Sequence, residues 1–252
     1  MPIHIDSEHP IGKLANFRDL GGIHASSGLV KHGLVYRADD LATIDAEAAQ
    51  EIFDLGVTNI IDLRSPEEVA TSGRGPLGNF DITYTNLPLM IDPAAPHQIM
   101  SDAQDKSFTD EHLGIWYDQL LGECADLLKQ GLEIISEAKG GTIFHCAAGK
   151  DRTGIFAASL LTVLDVDDKH IVSDYATTHE AMPAVLARLT GNTSAVDIEQ
   201  LKKAGALLNA MPIAMETLLQ RSNERDGGIL NRLKNNGVDD ALIQKLRTKL
   251  LE

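Results

Sequence analysis

With 252 residues, 43% of them hydrophobic, and no Pro- or Ser-rich linker, the chain is expected to bury one large core as a single domain over 1–252. Its formal net charge of −15 leaves no surplus of Lys and Arg to release counterions, which argues against nucleic acid or an anionic membrane as a general partner. The start, MPIHIDSEHP, lacks a basic stretch followed by an apolar one, and no apolar run reaches the length of a membrane span, so the expectation is a soluble protein with no stable membrane insertion, cytoplasmic by default, with secretion lacking a classical signal left open.

Residues 33–38 (GLVYRA) read as a strand. Residues 45–55 read as an amphipathic helix capped by Asp45 and closed by Gly56, followed by a buried strand over 57–63 (VTNIIDL). Ser65, Pro66 and Glu68 form a helix start, with a capping box around a proline at the first helical position. Asp62 and Arg64 therefore stand where a strand ends. Residues 91–109 mix Pro, Asp, Ser and Ala without periodicity and read as a long surface loop bordering a cleft. Trp116 lies in a helical pattern and is expected to pack in the core; Cys124, in the apolar helical run 120–135, reads as an inert buried thiol. Residues 142–144 read as a short buried strand, 153–164 as an apolar helix, and 182–225 as further helices with Pro183 and Pro212 near helix starts. This alternation implies an α/β fold with a central, mostly parallel sheet flanked by helices, in which ligand sites gather at the carboxyl ends of strands.

The strand at 142–144 and the helix at 153–164 are joined through HCAAGKDRTG, residues 145–154, which sets Cys146 and Arg152 at C-x-x-x-x-x-R spacing. In such a loop the backbone N–H groups of Ala147, Ala148 and Gly149 aim inward, and the helix N-terminus behind adds roughly half a positive charge, so a tetrahedral dianion is the favoured ligand. Cys146 is the candidate nucleophile, because the loop amides, the helix end, His145 and Arg152 all favour thiolate over thiol. The planar fork of Arg152 matches two phosphoryl oxygens as the transferring group flattens. Thr153 sits where its hydroxyl caps the helix or donates to the sulfur as a leaving group. Lys150 adds a second positive charge beside the cradle, and His145 is expected to order the loop. Two aspartates, Asp62 and Asp151, compete to protonate the leaving oxygen, with Asp62 the first choice; the opposite reading of Asp62 is a simple ion pair with Arg64.

Other uses of such a loop fit less well. A nucleotide-binding P-loop needs Ser or Thr directly after its lysine, where Asp151 stands, and no glycine lies five residues before Gly149. A persulfide-carrying sulfurtransferase also uses a cysteine loop, but Thr153 and the Lys-Asp-Arg run suit phosphate better. No spacing among His4, His9, His24 and His32 fits zinc, so neither a metal nor a cofactor is expected. With two cysteines, one of them the candidate nucleophile, a structural disulfide is not expected and a reducing compartment is.

The HCAAGKDRTG loop resembles the active-site loop of cysteine-dependent protein tyrosine phosphatases. Together with NFRDLGG (16–22), IIDLRSPEE (60–68), VSDYATTHEAMP (172–183) and the final segment 227–252, it is similar to a bacterial tyrosine phosphatase family that has secreted mycobacterial and listerial lipid-hydrolysing members. The resemblance implies the cysteine-dependent phosphatase fold and hydrolysis of phosphotyrosine, with phosphoserine, phosphothreonine or phosphoinositides accepted by some members. It also implies that Asp62 and Arg64 border the pocket, Arg64 among the substrate-binding groups, that Asp151 acts in catalysis, and that helices within 182–225 form a lid. The tryptophan-proline-aspartate acid loop of other phosphatases is absent. The competing function is a phosphate-binding interaction module that has lost catalysis.

Overall fold

Parallel pairing of short, buried strands organises the chain, whose computed structural model describes residues 14–90, 109–189 and 208–252. The strands are β1 (Arg18–Asp19), β2 (His24–Ala25), β3 (Gly28–Leu29), β4 (Val35–Ala38), β5 (Val57–Asp62), β6 (Thr83–Asn86) and β7 (Gly141–His145). Five of them form one sheet in the order β1-β4-β7-β5-β6, parallel except for the β1 edge, while β2 and β3 make a separate hairpin. In the register of the sheet His145 lies opposite both Ala38 and Asp62. The carboxyl ends of β4, β5 and β7 are therefore level, and whatever follows each strand emerges at one edge.

Side chains alternate across this sheet and divide the interior in two. Tyr36, Ile60 and Ile143 face a smaller core with Ala48, Ala49 and Ile52 of α1 (Ala46–Asp54). Their chain neighbours Val35, Ile61 and Phe144 face a larger one. Helix α1 starts where Asp45 accepts from the Ala48 N–H and ends before Gly56 at φ +78°, as the sequence predicts. Helix α2 (Pro66–Ser72) carries the expected capping box, the Ser65 hydroxyl accepting from Glu68 N and the Glu68 carboxylate accepting from Ser65 N.

The larger core is covered by α3 (Asp110–Glu123), α4 (Ala125–Glu137), α5 (Asp151–Val163), α6 (Asp168–Leu189), α7 (Pro212–Asp226), α8 (Ile229–Asn235) and α9 (Asp240–Leu250). Trp116 packs against it, as expected. Two expectations need correction. The run 120–135 is two helices, because Cys124, at φ −103° and ψ 16°, ends α3 and precedes α4. Its buried residues Leu120, Leu121, Cys124, Ala125 and Leu128 keep helical spacing across the break, while Gly122 stays within α3 and no proline marks the junction. Pro183 lies inside α6 rather than near a helix start. Tyr175, Thr178, Met182, Val185 and Leu186 recur at three- and four-residue intervals and are all buried, so one continuous packed stripe carries α6 through the lost N–H.

Pro212 does open α7, as predicted. At Gly114 of α3 an added Cβ would lie 2.5 Å from the Ala214 carbonyl oxygen, so α3 and α7 meet backbone to backbone. Of the span 182–225 expected to form a lid, 182–189 end α6 and 212–225 belong to α7, whose Ala214, Met215 and Leu218 are fully buried; 190–207 lie outside the described residues, as do 91–108 of the expected surface loop.

Candidate active site

The loop from Cys146 to Lys150 joins β7 to α5 at the level edge of the sheet. Its carbonyls are tied to the protein body. Ala147 O accepts from Asp40 N and from Arg188, Ala148 O from Asn16 Nδ2 at 3.2 Å, and Gly149 O from Asn16 Nδ2 at 3.0 Å and Arg37 Nη2 at 2.8 Å. The N–H groups of Ala147, Ala148 and Gly149 donate to no acceptor among the described residues and are left for an anion. Gly149 is obligatory: its φ is +68°, and a Cβ would stand 2.7 Å from the Ala38 carbonyl oxygen.

A buried charge cluster backs this loop. Arg37, fully buried within the apolar strand β4, pairs with Asp174 of α6, which also takes Arg18 Nε at 2.8 Å. Burial alone would raise the Asp174 pKa, but Arg18 and Arg37 outweigh it and hold the carboxyl below its usual range. Asp39 accepts from Ala15 N, Asn16 N and Arg188. The NFRDLGG and VSDY segments thus meet behind the loop and fix its outward-facing side. Their chemical role escaped the sequence reading; the signal was an arginine in mid-strand, which is stable only with a buried acid.

Cys146 is 2% exposed, and the Thr153 hydroxyl donates to its sulfur at 3.1 Å. Arg152 is held by Glu68 through two hydrogen bonds, 2.5 Å to Oε2 and 2.9 Å to Oε1. Burial disfavours the guanidinium charge, but Glu68 and the nearby Cys146 and Asp151 more than offset this and raise the Arg152 pKa. Two of the five guanidinium donors face Glu68, and the rest take no acceptor among the described residues. Glu68 was read from sequence only as a helix cap.

Arg64 is different. Its Nε and Nη2 donate to Asp62, Nη1 to Asp40 and Ser72, and Nη2 also to Gly73 O, which uses all five donors inside the protein. Against the expectation that Arg64 binds substrate, no donor of its guanidinium faces outward from these contacts. Asp62, fully buried, further accepts from Tyr84 Oη at 2.8 Å, and His145 Nε2 lies 3.6 Å away. Burial would raise the Asp62 pKa, but the Arg64 hydrogen bonds and His145 lower it overall. The His145 pKa is lowered chiefly by burial, with Asp62 opposing; its Nδ1 lies 3.3 Å from Cys146 O, against the backbone of the candidate nucleophile.

Lys150 is fully buried, its Nζ 3.0 Å from Asn209 O and 3.4 Å from Asp151 Oδ1, rather than extended into solvent. Asp151 opens α5 with a side chain 29% exposed, and its Oδ1 accepts from Tyr117 Oη at 2.5 Å. A third carboxyl, Asp110 at the start of α3, has a buried Oδ1 without a hydrogen bond, and burial raises its pKa against the opposing charge of Lys150. Among the described residues no cluster of His, Cys, Asp and Glu suits a metal ion, and no helix is long and apolar enough to cross a membrane.

A cysteine on an amide cradle, faced by an oriented arginine at the carboxyl edge of a parallel sheet, defines a cysteine-based phosphatase. The sequence profile of the tyrosine phosphatase family matches residues 9–252, and the chain belongs to that family. It is 25% identical over 276 residues to the triple specificity protein phosphatase PtpB of Mycobacterium tuberculosis, covering 94% of this chain and 96% of that one. A tyrosine-protein phosphatase of Nostoc commune is 36% identical over 141 residues, 56% of this chain and 46% of the relative. The crystal structure of P. aeruginosa TpbA aligns with 74% of this chain and 96% of its own at 18% identity, with a TM-score of 0.34, too low to add to the family assignment.

Proposed function

We propose that this phosphatase acts on phosphotyrosine in proteins, that its pocket also takes phosphoserine and phosphothreonine, and that Cys146, Arg152, Thr153 and Asp151 carry the reaction. The observation that supports this most is the Thr153 hydroxyl on the Cys146 sulfur, opposite an arginine already aligned by Glu68. The sulfur attacks phosphorus, an S–P bond forms, and the P–O bond to the alcohol or phenol breaks. Arg152 and the amides of Ala147, Ala148 and Gly149 hold the equatorial oxygens in that transition state. The leaving oxygen takes a proton from Asp151. Water then forms a new P–O bond and returns a proton to Asp151, while the sulfur departs stabilised by Thr153.

Asp151 replaces Asp62 as first choice for the acid. The Asp62 carboxyl is kept ionised by Arg64 and is enclosed, so it has no proton to give; its role is to position His145 and the strand end. Lys150 keeps the pocket positive from below, and His145 braces the loop at Cys146. The breadth of substrate draws on the relative named for triple specificity. Both cysteines are free, which fits the cytoplasm as the site of action.

Parallel assays of phosphotyrosine, phosphoserine and phosphothreonine peptides and of phosphoinositides test the substrate reading, with the tyrosine peptide expected fastest. A lipid substrate turned over faster than every peptide would overturn it. For the acid, Asp151→Asn is expected to slow an alkyl phosphate by about 10²-fold or more and an activated aryl phosphate far less. If Asp62→Asn or Asp110→Asn alone gives that dependence, the acid is assigned wrongly.

A further inference from the structure

Two buried tyrosines converge on Asp151 from outside the loop, and we infer that Tyr117, backed by Tyr175, is a positioning residue that decides which oxygen of Asp151 carries the catalytic proton. The inference rests on Asp151 being the acid. Tyr117 comes from α3 and Tyr175 from α6; both are at most 1% exposed, and their hydroxyls are 2.8 Å apart. Burial raises both phenols, strongly for Tyr117, so each keeps its proton at neutral pH.

Each phenol has one hydrogen, and this sets the direction of the chain. Asp151 as a carboxylate only accepts, so the Tyr117 hydroxyl donates to Oδ1, and the Tyr175 hydroxyl donates to the Tyr117 oxygen. Lys150 also approaches Oδ1, whereas Oδ2 takes no hydrogen bond among the described residues. When Asp151 is protonated, the proton is therefore held on Oδ2, the oxygen not tied back into the protein. As it passes to the leaving oxygen, negative charge develops on a carboxylate that already accepts from Tyr117, and that bond strengthens.

The fold makes room for this pair. At Gly154, the last residue of the HCAAGKDRTG segment, an added Cβ would lie 3.0 Å from the Tyr175 ring. Gly154 lets that ring sit against the first turn of α5, beneath the residue it supports. The two rings meet edge to face at 6.0 Å between centroids, which fixes the hydroxyls in place from two different helices.

The experiment compares Tyr117→Phe and Tyr175→Phe with Asp151→Asn on phosphate esters graded from activated aryl to alkyl. Tyr117→Phe keeps the ring and is expected to lose about tenfold more activity on the alkyl than on the activated aryl ester, with Tyr175→Phe moving the same way by less. Tyr117→Phe combined with Asp151→Asn should be no slower on the alkyl ester than Asp151→Asn alone. An equal loss across all esters, or additive effects in the double variant, would mean that the tyrosines only pack and would overturn the inference. If Tyr117→Phe does not fold, Tyr175→Phe alone decides: leaving-group dependence supports the relay and its absence overturns it. If Asp151→Asn itself lacks that dependence, the assignment of the acid has failed instead.

Discussion

At the end of β5, Asp62 and Arg64 are bonded to each other; at the start of α5, Asp151 and Arg152 are neighbours in the chain yet bonded to other partners. The first pair is enclosed, every donor of Arg64 answered within the protein and the Asp62 carboxyl held ionised. The second pair is half open: Arg152 is gripped along one edge by Glu68, and Asp151 by one oxygen through Tyr117. Both aspartate–arginine combinations lie at the same edge of the sheet. What separates support from chemistry is how many donors and acceptors the fold leaves unanswered.

The sharpest break in that comparison comes from Cys146, the proposed nucleophile between the two pairs. Cys146→Ser is expected to lower turnover by 10⁴-fold or more, on the order seen when a nucleophile is removed, yet keep binding inorganic phosphate, because the cradle survives. Steady-state assays and calorimetric titration with phosphate check both halves; appreciable turnover by the serine variant would rule out a covalent intermediate.

Arg152→Lys keeps the charge and removes the fork. A loss of about 10²–10³-fold, mainly in kcat, is expected. Should kcat be unchanged and only KM rise, the arginine binds ground-state phosphate and has no special hold on the transition state.

On the closed side, Asp62→Asn should act on stability before chemistry. Removing one partner of a buried pair costs about 3 kcal/mol, toward the low end because Asp40 still faces Arg64. Denaturant midpoints read this directly, and rates on aryl and alkyl esters should fall in parallel.

The smallest effect is a pH trend. Burial sets the folded pKa of His145 below the ordinary value, so the unfolded chain binds a proton first, and stability present above about pH 6.5 declines below it. Despite burial, arginine partners hold Asp62 and Asp174 below the usual carboxylate range, so a second decline begins below about pH 4. A melting temperature that stays flat from pH 7 down to pH 4 would show that His145 is protonated in the fold.

Much of this was readable from the chain because it is local. The loop motif, the Asp45 cap, the Ser65 box and the buried strands all depend on residues within a few positions of one another. The break at Cys124 was hidden because apolar spacing continues through it, and Pro183 misled because a packed stripe outweighs one missing hydrogen bond. Sequence spacing set Arg152 in the loop and allowed an Asp62–Arg64 pair, but not how fully Arg64 is engaged or how Arg152 is anchored, since Asp40, Ser72 and Gly73 around the one and Glu68 beside the other are brought there by tertiary folding. For Asn16, Arg37 and Asp174 the mid-strand arginine was the one local sign, and it does not name its partners: each reaches the loop, or the group beside it, across more than a hundred residues of chain.

Glu68 carries a consequence for anyone who would redesign this protein. One carboxylate oxygen serves both the Ser65 N–H that starts α2 and the guanidinium of Arg152. Glutamine closes a capping box as well as glutamate does, so a designer scoring helix α2 alone would accept Glu68→Gln as harmless. The helix would survive that exchange, while the charged anchor that aims the arginine would be gone. Mutational tolerance judged by folding and tolerance judged by turnover should therefore diverge at this residue, and a library selected only for thermal stability would accumulate well-folded, sluggish enzymes there.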